Sequence, residues 1–399
     1  MSIIKEITIQ GFKSILDQKL ELAQMNVFIG TNGAGKSNFL EALAMISASA
    51  DGGISYYNLE RKGSRLSSPE IFRSSFKNKT RKGSFKIEIK MDDYIYDMKI
   101  NSTSEFSYFT EQFSKSNQKI AGRSRAGSTL FGKSINKLEK DKSILGVLQS
   151  FADDYSPIIN NLKNFAIYSP STPILRGVSE DTASQQPLGL YGGGLAKALS
   201  EVIRDGDVKE DKSELQRFFQ LFDWFQSIGT TTTPNLEVLP GQNLFGNIVV
   251  RYKDKFMSKK FNELYAYDVS EGALFILFVL VLLIHKKSPN IFALDNIDNT
   301  LNPGLVKKLM MNLTEIIKEH PEKQIFLTTH NPTALDAIDL FNENHRLFVV
   351  SRSKNGETSI ERIKPPENTT KEDWENEYFG LKLSEIWLSG AIGGLPKGF

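Results

Sequence analysis

Gly30-Thr31-Asn32-Gly33-Ala34-Gly35-Lys36-Ser37 fits the spacing G-x-x-x-x-G-K-[ST] at every fixed position. Glycines there let successive backbone N–H groups converge on phosphate oxygens, the lysine reaches the β- and γ-phosphates, and the serine hydroxyl ligates Mg²⁺. Gly30, Asn32, Gly33, Gly35, Lys36, Ser37 and Asn38 are therefore the candidate phosphate contacts of a nucleoside triphosphate site. Late in the chain, Asn290-Ile291-Phe292-Ala293-Leu294 is an apolar run that ends in Asp295. A carboxylate at the end of a central strand is placed to hold Mg²⁺ through water opposite Ser37, and the metal offsets the cost of burying it. A second run, Gln324 to Thr329, ends in His330. Ser270 and Gly272 precede a long apolar helix, and Ser270 stands where an N-cap belongs. It is either a plain cap or the mouth of an anion site made by the free N–H groups behind it.

These groups need carriers. Residues 26 to 29 read as a strand, and a helix starts near Lys36 with Leu40 and Leu43 on one face. The longest apolar run, Ala273 to Ile284, would span about 18 Å as a helix against a hydrocarbon core of about 30 Å, so it predicts a buried helix and no membrane partner. Ile3 to Ile9 alternates as a strand. Ser84 to Lys90 and Tyr94 to Ile100 alternate cleanly across Met91-Asp92-Asp93 and predict a β-hairpin. Ser114 to Gly132, rich in Ser, Gly, Lys and Arg without period, predicts a mobile loop. Helical patterns follow around Ile135 to Phe151 and Leu195 to Phe225, separated by a short strand at Phe165 to Tyr168 that Pro170 stops. Thr230 to Pro234 and Pro240 to Gln242 read as an exit loop before a strand at Gly246 to Tyr252, and Arg346 to Arg352 pairs with Thr358 to Ile363 through Asn355-Gly356. No heptad pattern persists, so the insertion is compact and carries no coiled-coil arm. The expected organisation is an ATPase domain split into residues 1–110 and 241–365, an inserted helical lobe at 111–240, and a tail at 366–399.

A chain of 399 residues with 40% hydrophobic and 24% charged residues has the composition of a soluble globular protein, and a formal charge of +2 gives no global pull toward nucleic acid. Without cysteine there is neither a disulfide framework nor a thiolate metal site, which suits the cytoplasm. The N-terminus is charged within a few residues and does not read as a signal peptide. One local basic run stands out: Arg61, Lys62, Arg65, Arg73, Lys77, Lys79, Arg81 and Lys82 against the single acid Glu70. It suits either a phosphate backbone or a solvated loop.

Gly11-Phe12-Lys13-Ser14 after the first strand resembles the opening of RecF-like and SMC-like ATPases, which would bring Lys13 toward the nucleotide; a surface lysine is the alternative. The whole set resembles the RecF/OLD-like branch of the ABC ATPases, over roughly residues 1 to 100 and 245 to 365, whose members occur in DNA repair and antiphage defence. The resemblance implies an α/β P-loop fold with a mixed sheet, an antiparallel β subdomain and an inserted helical lobe, with ATP and Mg²⁺ as cofactors. It implies that Ser270-x-Gly272 faces the γ-phosphate held by a second protomer, in a head-to-tail dimer or higher oligomer, and that His330, within Thr-Thr-His-Asn-Pro, senses that phosphate. The Q-loop glutamine expected near Ser169-Pro170 is missing. Another departure matters more: the glutamate that deprotonates the attacking water is replaced by Asn296. Loss of a general base costs on the order of 10² to 10⁴ in rate, so hydrolysis is expected to be slow. Asp298 is either a substitute base or part of a loop contacting the other protomer. Lys36, Asp295, Asn296 and His330 are thus the candidate catalytic residues.

OLD-type nucleases continue into a Toprim domain, for which too few residues follow His330. The tail from Trp374 reads as a docking peptide or as a strap on the core. A tail of this kind resembles small defence-associated ATPases encoded beside a separate effector. The resulting expectation is an ATPase that acts as sensor or scaffold over a nuclease or toxin partner. The alternative is a RecF-like repair ATPase that binds DNA. A transporter subunit fits less well, because Ser-Glu-Gly replaces the transporter signature.

Overall fold

The computed structural model describes residues 3–77, 79–136, 138–183, 185–205, 215, 221–233 and 247–393. The chain divides into two compact units. Unit one comprises Met1–Ile167, Pro289–Ile297 and Ile317–Phe399; unit two comprises Tyr168–Ser288 and Asp298–Ile316.

Unit one holds two sheets. The first is eight-stranded, in the order β2 (Ile15–Glu21), β1 (Glu6–Phe12), β4 (Ser84–Met91), β5 (Tyr94–Ser102), β6 (Phe106–Lys115), β7 (Gln118–Ser124), β8 (Gly127–Leu130), β9 (Lys133–Ile135), with antiparallel pairing throughout. The β4–β5 hairpin closes as its alternation predicts, with Met91 opposite Tyr94 and Phe85, Ile87, Ile89 buried on one face. The stretch from Ser114 to Gly132, read above as a mobile loop, is instead β7, β8 and the end of β6. Ser116 and Asn117, with φ of 48° and 65°, make a two-residue turn that joins β6 to β7. The antiparallel sheet therefore runs well past residue 110.

The second sheet has the order β10 (Ile167–Tyr168), β14 (Ile291–Leu294), β15 (Gln324–Thr329), β3 (Met25–Gly30), β16 (His345–Arg352), β17 (Thr358–Ile363). β14, β15, β3 and β16 run parallel, so their carboxyl ends share one edge, and β17 pairs antiparallel to β16. Every residue of β3, β14 and β15 is buried. The polar members are satisfied: the Asn26 amide bonds with the Ala23 N–H and the Ala23 and Ile325 carbonyls, and the Gln324 amide joins Ile4 to Ala23. Against β3 packs the helix Lys36–Ala50, with Phe39 and Phe348 on either side of Phe28 at ring separations of 4.5 and 4.8 Å.

Unit two carries the helices Leu195–Asp205 and Glu271–Ile284 and a small sheet β11 (Phe225–Thr231), β12 (Val249–Asp254), β13 (Glu263–Tyr265). The apolar run forms a fully buried helix from Gly272 to Ile284, as its composition requires. The lobe is thus mixed, not purely helical. Residues 206–214, 216–220, 234–246 and 394–399 lie outside the described residues, and with them nearly half of the Leu195 to Phe225 pattern, Pro234, the Pro240 to Gln242 loop and the end of the tail. Of the tail itself, Ile386 and Trp387 are buried, and the Ser384 N–H donates to Asp336 at 3.1 Å, so this part straps the core.

Candidate nucleotide site

At the carboxyl end of β3 the chain must turn sharply and restart as a helix. Gly35 has φ of 118°, and a Cβ there would lie 2.2 Å from Thr358 Oγ1. A Cβ on Gly30 would lie 2.1 Å from the Val350 carbonyl oxygen, whereas one on Gly33 would meet nothing within 4 Å. The loop is therefore backed by β16 and β17 and open on its other side. Its back is braced by a chain of bonds: Thr358 Oγ1 to the Ala34 carbonyl at 2.8 Å, Thr358 to Ser14 at 2.7 Å, and Asn38 Nδ2 to Ser14 Oγ at 2.6 Å. Arg352 Nε donates to the Gly33 carbonyl at 3.0 Å. Gly35 is the N-cap of the helix and supplies no side-chain acceptor, which leaves the first helical N–H groups to an anion.

Asp295 sits at the end of β14 and Thr328 near the end of the adjacent β15. Ser37 Oγ donates to Asp295 Oδ2 at 2.9 Å, and Thr328 Oγ1 to Oδ1 at 2.5 Å. The Asn296 N–H returns to Thr328 Oγ1 at 2.8 Å, which fixes the turn after the strand. A hydroxyl and a carboxylate held together are hard oxygen donors of the kind Mg²⁺ takes, so Ser37 and Asp295 fit that ion. It would neutralise phosphate charge there. His330 Nδ1 lies 3.0 Å from the Gly30 carbonyl and 3.2 Å from Lys36 Nζ. The Lys36 ammonium in turn donates to the Gly30 and Thr31 carbonyls at 2.7 and 3.2 Å. Nδ1 thus faces one acceptor and one donor, and a phosphate that draws Lys36 away would change its partner.

Asn32, Gly33, Gly35, Lys36, Ser37, Asn38, Asn296 and His330 line one cavity of about 250 Å³, together with Arg65 and Arg352. Gly30 and Asp295 stand directly behind it, through Lys36 and Ser37. Sequence reasoning did not single out either arginine. Arg65 was hidden within the basic run, and its guanidinium bonds to Asn38 Oδ1 at 2.8 Å and Glu41 at 2.8 Å. Lys13 is not among the residues that line this cavity, nor is it a surface lysine: its side chain is buried, paired with Glu41 and 4.3 Å from the Phe72 ring. Burial alone would raise the Glu41 carboxyl, but Arg65 and Lys13 outweigh it and hold it below its ordinary value. Stability from this pair is thus present above pH about 4.5 and is lost as pH falls through the lower folded value. Glu41→Gln is expected to destabilise the chain by about 3 kcal/mol at pH 7, because it strands the buried lysine, and to flatten the acid limb of a urea-denaturation series.

The basic run also reads differently in three dimensions. Arg61, Lys62, Arg65, Arg73, Lys79 and Arg81 are matched by Asp51, Glu41, Glu70 and Glu357, at 2.6 to 3.9 Å. Ser270 and Gly272 belong to unit two, as does Asp298. Ser270 is exposed and accepts from the Ala273 N–H at 3.3 Å as the N-cap of its helix, and Gly272 lies where a Cβ would come within 3.1 Å of Leu301.

The family described as "AAA domain, putative AbiEii toxin, Type IV TA system" matches residues 25–336, which takes in the phosphate loop, Asp295 and His330. The chain belongs to this family. It accordingly carries an AAA-type ATPase domain, and such AAA-domain proteins use a nucleotide and typically Mg²⁺. No curated protein matches the chain. Among solved structures, it is similar to an SmcHead bound to the C-winged helix domain of ScpA, with a TM-score of 0.55 at 16% identity, covering 91% of this chain and 98% of that one. It is also similar to an Smc head domain with an extended coiled coil, bound to the C-terminal domain of ScpA and derived from Pyrococcus furiosus, with a TM-score of 0.53 at 13% identity, covering 91% and 97%. These likenesses show the fold, α/β with mixed and antiparallel sheets. Among the described residues no helix is long and apolar enough to cross a membrane.

Proposed function

We propose that this chain binds ATP·Mg²⁺, hydrolyses it slowly, and acts as a nucleotide-gated sensor or scaffold over a separate effector, a nuclease or toxin, in antiphage defence. The observation that carries the reading is Asn296 on the wall of a cavity that otherwise holds Lys36, Ser37 and His330, with Asp295 behind it. A site built to hold a triphosphate but given an amide where a base belongs is suited to a long-lived bound state. The toxin in the family's description supports a defence setting.

In this reading Gly30, Asn32, Gly33, Gly35, Lys36, Ser37 and Asn38 form the phosphate cradle, and Ser270 and Gly272 of a second protomer complete it. The exposure of Ser270 supports that role. Light scattering should show a larger species with ATP and Mg²⁺ than with ADP. Ser270→Arg should abolish the shift while leaving ATP affinity within about twofold when both proteins are titrated at concentrations too low to assemble. A monomer under all conditions would end the composite-site reading. Co-purification with the product of an adjacent gene tests the effector. The repair-ATPase alternative loses support from the basic run, since six of its eight cations already face carboxylates.

A further inference from the structure

The segment joining β12 to β13 in unit two exposes three large apolar side chains within six residues: Phe256 at 74%, Met257 at 40% and Phe261 at 59%. Apolar groups gathered on a water-facing tip mark a surface that a partner covers. The tip is well defined. The Asp254 N–H donates to the Asn262 carbonyl at 3.0 Å, the Phe256 N–H to Asp254 Oδ1 at 2.8 Å, and the Phe261 N–H to the Ser258 carbonyl at 2.8 Å.

Lysines alternate with these rings. The Lys255 ammonium lies 5.0 Å from the Phe256 ring centre and that of Lys260 lies 5.2 Å from Phe261, with Lys259 between them in sequence. The neighbouring acids are engaged: Asp254 accepts from the Phe256 N–H, and Glu263 faces Arg251 at 3.2 Å and Lys253 at 3.8 Å. The tip therefore presents positive charge and solvent-exposed rings together, with one ammonium over each ring.

We propose that this tip binds single-stranded nucleic acid, with bases stacked on Phe256 and Phe261 and flanking phosphates on Lys255, Lys259 and Lys260. The repeated unit is a ring with an ammonium about 5 Å away, which matches what one nucleotide offers, a base and a phosphate. A bilayer is disfavoured because Lys259 and Lys260 lie at the crown of the loop, where insertion would carry them into hydrocarbon. A duplex is disfavoured because its bases are already stacked and their faces are closed.

The test uses the full chain and fluorescence anisotropy of labelled 20-mers, oligo-dT and oligo-rU, with ATP turnover of every variant as the folding control. Phe256→Ala/Phe261→Ala should weaken binding about tenfold or more, and an abasic 20-mer should bind the unaltered protein as weakly as the intact strand binds that variant. Lys255→Gln/Lys259→Gln/Lys260→Gln should reduce the slope of log affinity against log salt by about 2. The contrast between dT and rU distinguishes DNA from RNA as the source of the strand. Equal binding by the unaltered protein and the phenylalanine variant would overturn the proposal. So would tighter binding of a blunt duplex, absence of binding at low salt, or sedimentation with phosphatidylserine–phosphatidylcholine vesicles but no binding of either 20-mer.

Discussion

Asn296→Glu is expected to raise the ATP turnover number by about 10²-fold or more. The position lies on the cavity wall with Lys36, Ser37 and His330, and its side chain is exposed to that space. Its backbone N–H is held by Thr328 Oγ1, so the residue after Asp295 leaves the strand along a fixed path and a carboxylate placed there enters the same cavity. The native amide cannot take a proton from water at neutral pH. The substitution carries a conformational cost, because Asn296 has φ of 57°, a region asparagine tolerates better than glutamate. A loss of about 1 kcal/mol in stability should therefore accompany the gain in rate. Asn296→Ala separates the effects, since it removes the amide without adding a base and should leave turnover near its original value. Single-turnover hydrolysis and the lifetime of the ATP-bound assembly are the measurements. Unchanged or lower turnover in a folded Asn296→Glu variant, or an assembly that outlives the unaltered one, would count against a latch.

The second large effect concerns Gly35. Gly35→Ala should lower ATP affinity by at least about 100-fold, read by isothermal titration or fluorescent-nucleotide displacement. Two causes act together. A side chain at φ of 118° strains the backbone by about 1 to 3 kcal/mol, and the new Cβ would approach Thr358 Oγ1 to 2.2 Å and Cγ2 to 2.9 Å. The loop then has to move away from Thr358, which breaks the bond that orients the Ala34 carbonyl and misaims the N–H groups of the cradle. Thr358→Val removes the bond to the Ala34 carbonyl without straining Gly35 or adding a side chain there, so it should cost less affinity than Gly35→Ala. An equal loss in the two variants would show that the strain and collision at Gly35 are unimportant here.

The phosphate loop was legible because its chemistry is local. Eight consecutive residues fix the turn, and an apolar strand and a helix flank them. Asp295 and His330 were legible for a related reason, since each ends a wholly buried parallel strand, and parallel strands bring their carboxyl ends to one edge. What escaped depends on distant partners. Ser114 to Gly132 looked aperiodic because register shifts between Phe113 and Ser114 and β7 does not alternate, with Gln118 and Lys119 exposed and Ala121, Gly122 and Arg123 buried in a row. The turn uses Ser-Asn, which carries a weaker signal than Asn-Gly. The basic run looked unopposed because Glu41, Asp51 and Glu357 lie outside it in sequence. Lys13 could not be placed without knowing that Glu41 lies beneath it.

Thr358 holds the Ala34 carbonyl across 324 positions of sequence, and β16 and β17 form the wall behind the phosphate loop. During synthesis the glycine-rich motif leaves the ribosome 324 residues ahead of the threonine that braces it. Over that interval a nascent chain carries the motif without the wall that shapes its cradle. Nucleotide capture of the kind proposed above therefore waits until the β16–β17 hairpin has been made.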